Sequence, residues 1–214
     1  PPMDGALRPN TVLDDAEVVC EAAAPDNLVE IKGSLLFSSG NEICALAGSG
    51  VQKKHGHPIT AMAAQDSVLA VGLESGLVDV GGANIDGFNC PVALAFGGKD
   101  ELFVCNGSDA YSPANWASDL MNKNAEGSVW RVDLTTGSRN CLASGLAFPH
   151  GVAVDIANAR LVVTESWRHR VVGIPLRGGA PTELLAKLPG YPARISPSPA
   201  GYVLSLFAPR NRLI

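Results

Sequence analysis

The stretch 161–166, LVVTES, is an apolar segment with a polar end, and the chain contains four others of the same kind. They are LLFSS (35–39), VLAVGL (68–73), LFVCNG (102–107) and YVLSLF (202–207). In chain order the five segments start 33, 34, 59 and 41 residues apart. Each of the first four lies between an earlier apolar strand and a polar turn that leads to a third strand. Periods near 40 residues with about four short strands per repeat are typical of a β-propeller.

The repeats predict an all-β chain with about four and a half propeller blades, forming a single domain over residues 1–214. The third repeat is longer because the polar residues 107–126 are inserted. Such a loop either caps a pocket, with Trp116 as a pocket residue, or is a surface excursion packed by its own aromatic side chains. The fifth repeat is partial and ends in RNRLI. Since an open arc of blades exposes sheet edges, we expect missing blades or a second polypeptide that closes the ring.

Composition limits the classes of partner. The 214 residues are 46% hydrophobic and 17% charged, with 23 glycines and 15 prolines, which fits a globular protein with many turns. The net charge is −5 without a basic block, so nucleic acid and anionic membranes are poor partners. We expect a soluble protein without a spanning helix. The first ten residues lack a signal-peptide pattern, yet a removed leader would leave none, so secreted, periplasmic and cytosolic placements stay open.

The residues at the start of each innermost strand are the candidates for chemistry, because these strands converge at one end of the propeller axis. A recurring linker locates them. Residues 18–31, 141–154 and 183–196 each read as an outer strand, a proline turn and the next inner strand. The five starts are Asp26-Asn27, His57-Pro58, Asn89-Cys90, Pro149-His150 and Ala193-Arg194.

Several motifs resemble the strictosidine synthase-like family, whose members are six-bladed propellers related to gluconolactonase/regucalcin and paraoxonase. The motifs are APDNLV (24–29), FNCPVAL (88–94), LAFPHGV (146–152), TES (164–166) and LPGYPARI (188–195). The resemblance covers residues 20–212 and is stronger after residue 88. It implies a six-bladed propeller that acts on a small molecule at its axis.

The resemblance also implies where an axial calcium ion would be bound in hydrolytic relatives. The family's ligand positions fall on Asp26, Cys90, His150 and Ala193, and only Asp26 keeps a hard oxygen. Calcium prefers six to eight oxygen ligands, so a calcium site of the familiar kind is disfavoured. Strictosidine synthase itself uses no metal, and its catalytic glutamate would lie in a later blade than those in this sequence.

Two other kinds of chemistry fit the predicted ring of side chains. One is a transition-metal site with Asp26, His57 and His150 as ligands, since imidazole suits such metals. The other is acid–base catalysis in which His150 moves a proton, Asp26 orients an imidazole and Arg194 binds a carboxylate or oxyanion. His55 is an alternative to His57 in the second repeat.

The remaining candidates have narrower roles. Asn27, Asn89, Cys90 and Trp116 would contact substrate, and Cys90 would be a nucleophile only beside a base such as His150. Glu165 is expected to bind backbone or an arginine such as Arg168, and His169 to be solvated. The leading functional hypothesis is hydrolysis of a lactone or ester at the axial pocket, with no cofactor or with a divalent metal. The alternatives are metal-free C–N bond formation, a non-catalytic propeller that binds a small ligand, and a protein-interaction scaffold.

Overall fold

The computed structural model describes residue 8, residues 10–47 and residues 50–210. Its strands form four four-stranded antiparallel sheets and one two-stranded sheet. The first two blades consist of β1 (Pro25–Ile31), β2 (Ser34–Ser39), β3 (Glu42–Ala45), β4 (Val51–Lys54), β5 (Ile59–Gln65), β6 (Val68–Leu73), β7 (Val78–Val80) and β8 (Ala83–Ile85). The predicted end of the fifth repeat, residues 211–214, lies outside the described residues.

The later blades follow the same order from inner to outer strand. They consist of β9 (Pro91–Gly98), β10 (Glu101–Asn106), β11 (Gly127–Asp133), β12 (Arg139–Leu146), β13 (Pro149–Asp155), β14 (Arg160–Glu165), β15 (Arg170–Pro175), β16 (Thr182–Leu185), β17 (Gly190–Ser198) and β18 (Gly201–Pro209). The five segments quoted from the sequence are the second strands β2, β6, β10, β14 and β18. The predicted β-propeller fold is confirmed.

One predicted strand is wrong. The start of residues 18–31 was expected to form a short outer strand, but the chain there is irregular and β1 begins only at Pro25. Val18 and Val19 are 74% and 71% exposed, so they bury little apolar surface. Without a neighbouring strand to bond them, two apolar residues in a row do not specify a sheet.

The apolar core lies between blades. One cluster joins blades three and four around Phe103, Leu161 and Ile174, all fully buried. Similar clusters join blades one and two, two and three, and four and five. Since apolar burial contributes about 25 cal/mol per Å², these interfaces fix the angle between neighbouring sheets and hence the position of the axis.

Local irregularities mark the start of every inner strand. The pairing of β5, β9 and β13 with their second strands skips Thr60, Val92 and His150, respectively. Similar shifts occur in β1 over Asp26 and Asn27, and in β17 next to Pro192. A bulge leaves its extra residue out of the ladder, so the carbonyl groups of these residues are available to other donors.

The described part of the chain has one α-helix, α1 (Trp116–Met121), and it lies within the 107–126 segment after the 3-10 turn Pro113–Asn115. No helix in that part of the chain has the length and hydropathy needed to cross a bilayer.

Candidate functional site

The bulged starts of the inner strands surround a cavity of about 360 Å³ at one end of the axis, which we call the mouth. Its walls are mainly aromatic and its floor is polar. The lining residues are Asp26, Ile59, Thr60, Val92, Pro113, Trp116, Phe148, His150, Trp167, Arg194 and Phe207. The volume lies within the range of about 300–1,000 Å³ that is common for small-molecule sites.

The aromatic wall is built from loops and from the last strand rather than from the inner strands. Phe148 stacks on Trp167 with ring centroids 4.5 Å apart. Phe207 of β18 meets the edges of Trp116 and Trp167 at 5.7 and 6.3 Å. Such contacts hold the rings in fixed orientations and leave an apolar, planar surface for a ligand.

The 107–126 segment is fastened to this wall. Asp119 of α1 is 1% exposed, and its Oδ2 accepts a hydrogen bond from Nε1 of Trp167 at 2.6 Å. Nδ2 of Asn124 donates to the other oxygen of the same carboxylate at 2.6 Å. Pro113 and Trp116 thereby form one side of the mouth, so this segment contributes to a cavity instead of packing only on itself.

Glu165 supports the wall from beneath. Its carboxylate is fully buried and accepts hydrogen bonds from Arg168 and Arg170, each at 2.6 Å, and from the backbone N–H of Ala147 at 2.8 Å. These bonds fix the turn before Phe148 and the 3-10 turn that carries Trp167. The structural role expected for Glu165 is the one observed.

His150 faces the mouth in a desolvated setting. Burial, together with the nearby positive charge of Arg194, lowers the pKa of His150 from 6.5 to about 3. Its Nδ1 is buried and has no hydrogen-bond partner among the described residues. The imidazole packs edge-on against Phe148, with centroids 5.3 Å apart. At neutral pH the ring is therefore uncharged.

Arg194 forms the floor of the mouth. Its guanidinium donates to Oδ2 of Asp26 at 3.0 Å, to the carbonyl of Thr60 at 2.9 Å and to the carbonyl of His150 at 3.3 Å. It also donates to the carbonyl of Val92. Four of its N–H donations are thus taken by the protein, which leaves little capacity to bind a substrate anion.

The remaining predicted residues lie around or outside the mouth. Asn27 is buried and binds Oγ of Ser38 and Oδ2 of Asp26. Asn89 is exposed and donates to the carbonyls of Ser108 and Asp109. Cys90 is fully buried, and burial raises the pKa of its thiol to about 12, so the thiolate that a nucleophile needs is not formed at neutral pH.

The structure does not bring the three predicted transition-metal ligands together. Asp26 and His150 line the mouth, whereas His57 is exposed and precedes β5. His55, the alternative, is buried beside Asp79, with 4.0 Å between Nδ1 and Oδ2. Within the described ranges, no group of three His, Cys, Asp or Glu side chains is placed to hold an ion.

The residues also do not fit an axial calcium ion. Of the implied positions, Asp26 already pairs with Arg194, and Cys90 is a buried, protonated thiol. The guanidinium lies among the oxygens that a cation would need, and its charge opposes a second cation there.

His169 was expected to be solvated, and this is wrong. It is 8% exposed, and its Nδ1 lies 3.0 Å from the carbonyl oxygen of Gly190. Its ring packs on Tyr191 at 4.6 Å. The turn it occupies is covered by the start of β17, a contact between blades that the local sequence does not show.

Comparisons with known proteins agree with the fold. A family model described as strictosidine synthase matches residues 95–173. The Arabidopsis thaliana protein Strictosidine synthase-like 13 is 28% identical over 132 residues, which cover 60% of this chain and 33% of that protein. The chain therefore spans about a third of the length of this curated relative.

Two solved structures share the fold at 12% sequence identity. One, described as a nidogen/laminin complex, has a TM-score of 0.64 over 81% of this chain and 68% of its own. The other, a protein proposed to be a gluconolactonase, has a TM-score of 0.67 over 88% of this chain and 73% of its own. At this identity they show the fold alone.

The molecule is thus a β-propeller with an aromatic cavity at one end of its axis. The family match and the Arabidopsis relative support the resemblance to the strictosidine synthase-like family that the sequence motifs indicated.

Proposed function

We propose that the mouth binds a small, uncharged molecule with a planar apolar part, and that the protein is an enzyme that hydrolyses a lactone or ester there. The observation that carries this proposal is the convergence of four aromatic side chains and the imidazole of His150 on one cavity. The charges of Asp26 and Arg194 are paired with each other, so the cavity floor favours a neutral ligand.

The chemistry assigned to His150 follows from its protonation state. In hydrolysis a water oxygen attacks the carbonyl carbon, the water proton passes to a ring nitrogen of the His150 imidazole, and the ester C–O bond breaks. The same proton then goes to the leaving oxygen. Because the pKa of His150 is about 3, the acceptor form is fully populated at pH 7, although its basicity is low.

A second candidate is a mouth that binds its ligand without hydrolysing it, either as a non-catalytic binding site or for metal-free C–N bond formation of the kind that the family resemblance implies. The low basicity of His150 favours it, because proton transfer is most efficient when the catalytic pKa is near the working pH. An aromatic cavity without a strong base would still hold an apolar ligand.

Hydrolysis assays separate the two candidates. The probes are dihydrocoumarin and phenyl acetate, which carry a ring, and γ-butyrolactone, which does not. We expect turnover of the ring-bearing probes, a kcat/KM for γ-butyrolactone at least about tenfold lower, and no effect of EDTA. No turnover, combined with saturable quenching of tryptophan fluorescence by dihydrocoumarin, would support binding alone.

Matched variants test the residues. We expect His150→Gln to lower kcat/KM by about 100-fold, whereas His57→Gln, an exposed histidine outside the mouth, has no effect. Trp116→Ala should raise KM, while Tyr202→Ala should not, although the two side chains are 42% and 40% exposed. Turnover that is unchanged in His150→Gln would contradict the assigned role.

A further inference from the structure

The position of Arg194 suggests a role that is separate from substrate binding. Arg194 belongs to the inner strand β17, and its guanidinium donates to oxygens of the other four inner strands. These acceptors are Oδ2 of Asp26 in β1 and the carbonyls of Thr60 in β5, Val92 in β9 and His150 in β13. One side chain therefore links all five inner strands.

The acceptors are available because of the bulges. Thr60, Val92 and His150 are the residues that the pairing of their strands skips. A buried carbonyl without a donor is costly, and three of them close to one axis would need several donors from a single point. A guanidinium supplies five N–H groups in a fixed plane.

The same oxygens are of the type that a hard metal cation prefers, namely carbonyl groups and one carboxylate. The positive charge at their centre belongs here to a side chain. We propose that the guanidinium of Arg194 is a built-in axial cation, which joins the inner strands and closes the floor of the mouth in the place of a metal ion.

Arg194 also divides the axis into two compartments. It lines both the mouth and a larger cavity of about 890 Å³ below it, and so does its partner Asp26. The lower cavity, which we call the channel, is lined by inner-strand residues such as Ala63, Ala95 and Val154. A shortened side chain at position 194 would connect the two.

The experiment compares thermal unfolding of the wild type with that of Arg194→Ala. We expect the variant to lose about 5–10 °C in Tm, because four donors are removed at once. Ethylguanidine, which replaces the deleted group, should restore part of this loss at millimolar concentration, and Ca²⁺ should do the same. Neither additive, nor EDTA, should shift the wild-type Tm.

Arg160→Ala is the matched control. Arg160 is 32% exposed and Arg194 is 31% exposed, and each forms an ion pair with one aspartate. Among the described residues, however, the guanidinium of Arg160 bonds only to Asp155. Its removal should lower Tm less, and neither ethylguanidine nor Ca²⁺ should restore the loss.

Two results would overturn the proposal. One is stoichiometric binding of Ca²⁺ by the wild type in a calorimetric titration, which needs no variant. The other is an Arg194→Ala protein with wild-type Tm, or with a lowered Tm that neither additive changes. Should Arg194→Ala fail to fold, the readout is the refolding yield with and without ethylguanidine. Arg194→Lys keeps the positive charge but not the planar guanidinium, and it should fold with an intermediate Tm.

Discussion

The mouth and the channel lie on the same axis and share Asp26 and Arg194, yet they are built differently. The channel is lined by small residues of the inner strands, such as Ala63, Ala95 and Val154. The mouth is lined by large aromatic residues from turns, from the 107–126 segment and from β18. Small side chains let the inner strands converge along the channel. The aromatic surface that would contact a ligand at the mouth comes from segments outside the inner strands.

The candidate chemistry of this propeller belongs to one end of its axis, the mouth. The strand repeat fixes the position of the axis, and it does so equally for both ends. The mouth brings the imidazole of His150 next to an aromatic wall. The wall in turn depends on buried polar contacts made by Glu165 and Asp119. Substitutions of Glu165, Asp119 or His150 should therefore affect the mouth and leave the channel unchanged.

Glu165→Ala should have the largest effect. It removes a fully buried carboxylate and leaves Arg168, Arg170 and the N–H of Ala147 without their partner. Breaking such a buried pair from one side costs about 3–5 kcal/mol, so we expect that loss in urea unfolding. Glu183→Ala is the control, since Glu183 is 52% exposed and faces Arg170 at 3.5 Å. Its cost should stay below about 1 kcal/mol.

The second-largest effect should be a loss of folding stability at acid pH that is caused by His150. Its pKa is about 3 in the folded protein and 6.5 as the ordinary value, so the unfolded state binds the proton more readily between these values. Stability is therefore complete above pH 6.5 and falls as the pH decreases toward 3, by up to about 1.4 kcal/mol per pH unit. The pKa values of His55 and His169 are also lowered by burial, with the same sign.

The measurement is urea unfolding of the wild type and of His150→Gln at pH 7, 6, 5 and 4. The variant should lose less stability on acidification, because glutamine does not titrate. His57→Gln should follow the wild type. Parallel curves for all three proteins would show that His150 is not desolvated at the mouth.

The same pKa predicts the pH dependence of hydrolysis. The neutral imidazole persists down to about pH 3, so kcat/KM for phenyl acetate should stay nearly level from pH 8 to pH 5. An ordinary histidine base would instead lose most of its activity over the lower part of that range. A midpoint near pH 6.5 in the profile would contradict the desolvated environment described for His150.

The sequence predicted the sheets better than it predicted the walls of the mouth. Apolar strands that recur at a period near 40 determine the sheets, and they placed Asp26, His150 and Arg194 together. In the second and third repeats the strand starts were assigned to His57 and Asn89. The residues that reach the mouth are instead Ile59, Thr60 and Val92, which lie one or two positions after the prolines 58 and 91. His150 follows Pro149 in the same way, so the prolines were the available signal.

The aromatic wall could not be predicted from local sequence. Phe148, Trp167 and Phe207 lie in different turns and strands, and they meet only after blades four and five have packed. Trp116 was proposed because its segment interrupts the repeat. The hydrogen bonds of Arg194 could not be predicted either, because a bulge redirects a backbone carbonyl group and does not depend on a particular side chain.

The smallest expected effect is at the far end of the channel. Ile156 lines the channel and is 69% exposed, so Ile156→Ala should change the free energy of unfolding by less than about 0.5 kcal/mol. It should leave quenching of tryptophan fluorescence by dihydrocoumarin unchanged, whereas Trp116→Ala weakens it at the mouth. If Ile156→Ala weakened ligand binding as much as Trp116→Ala, the floor formed by Arg194 would not separate the two compartments. That result would indicate a ligand that occupies both the mouth and the channel.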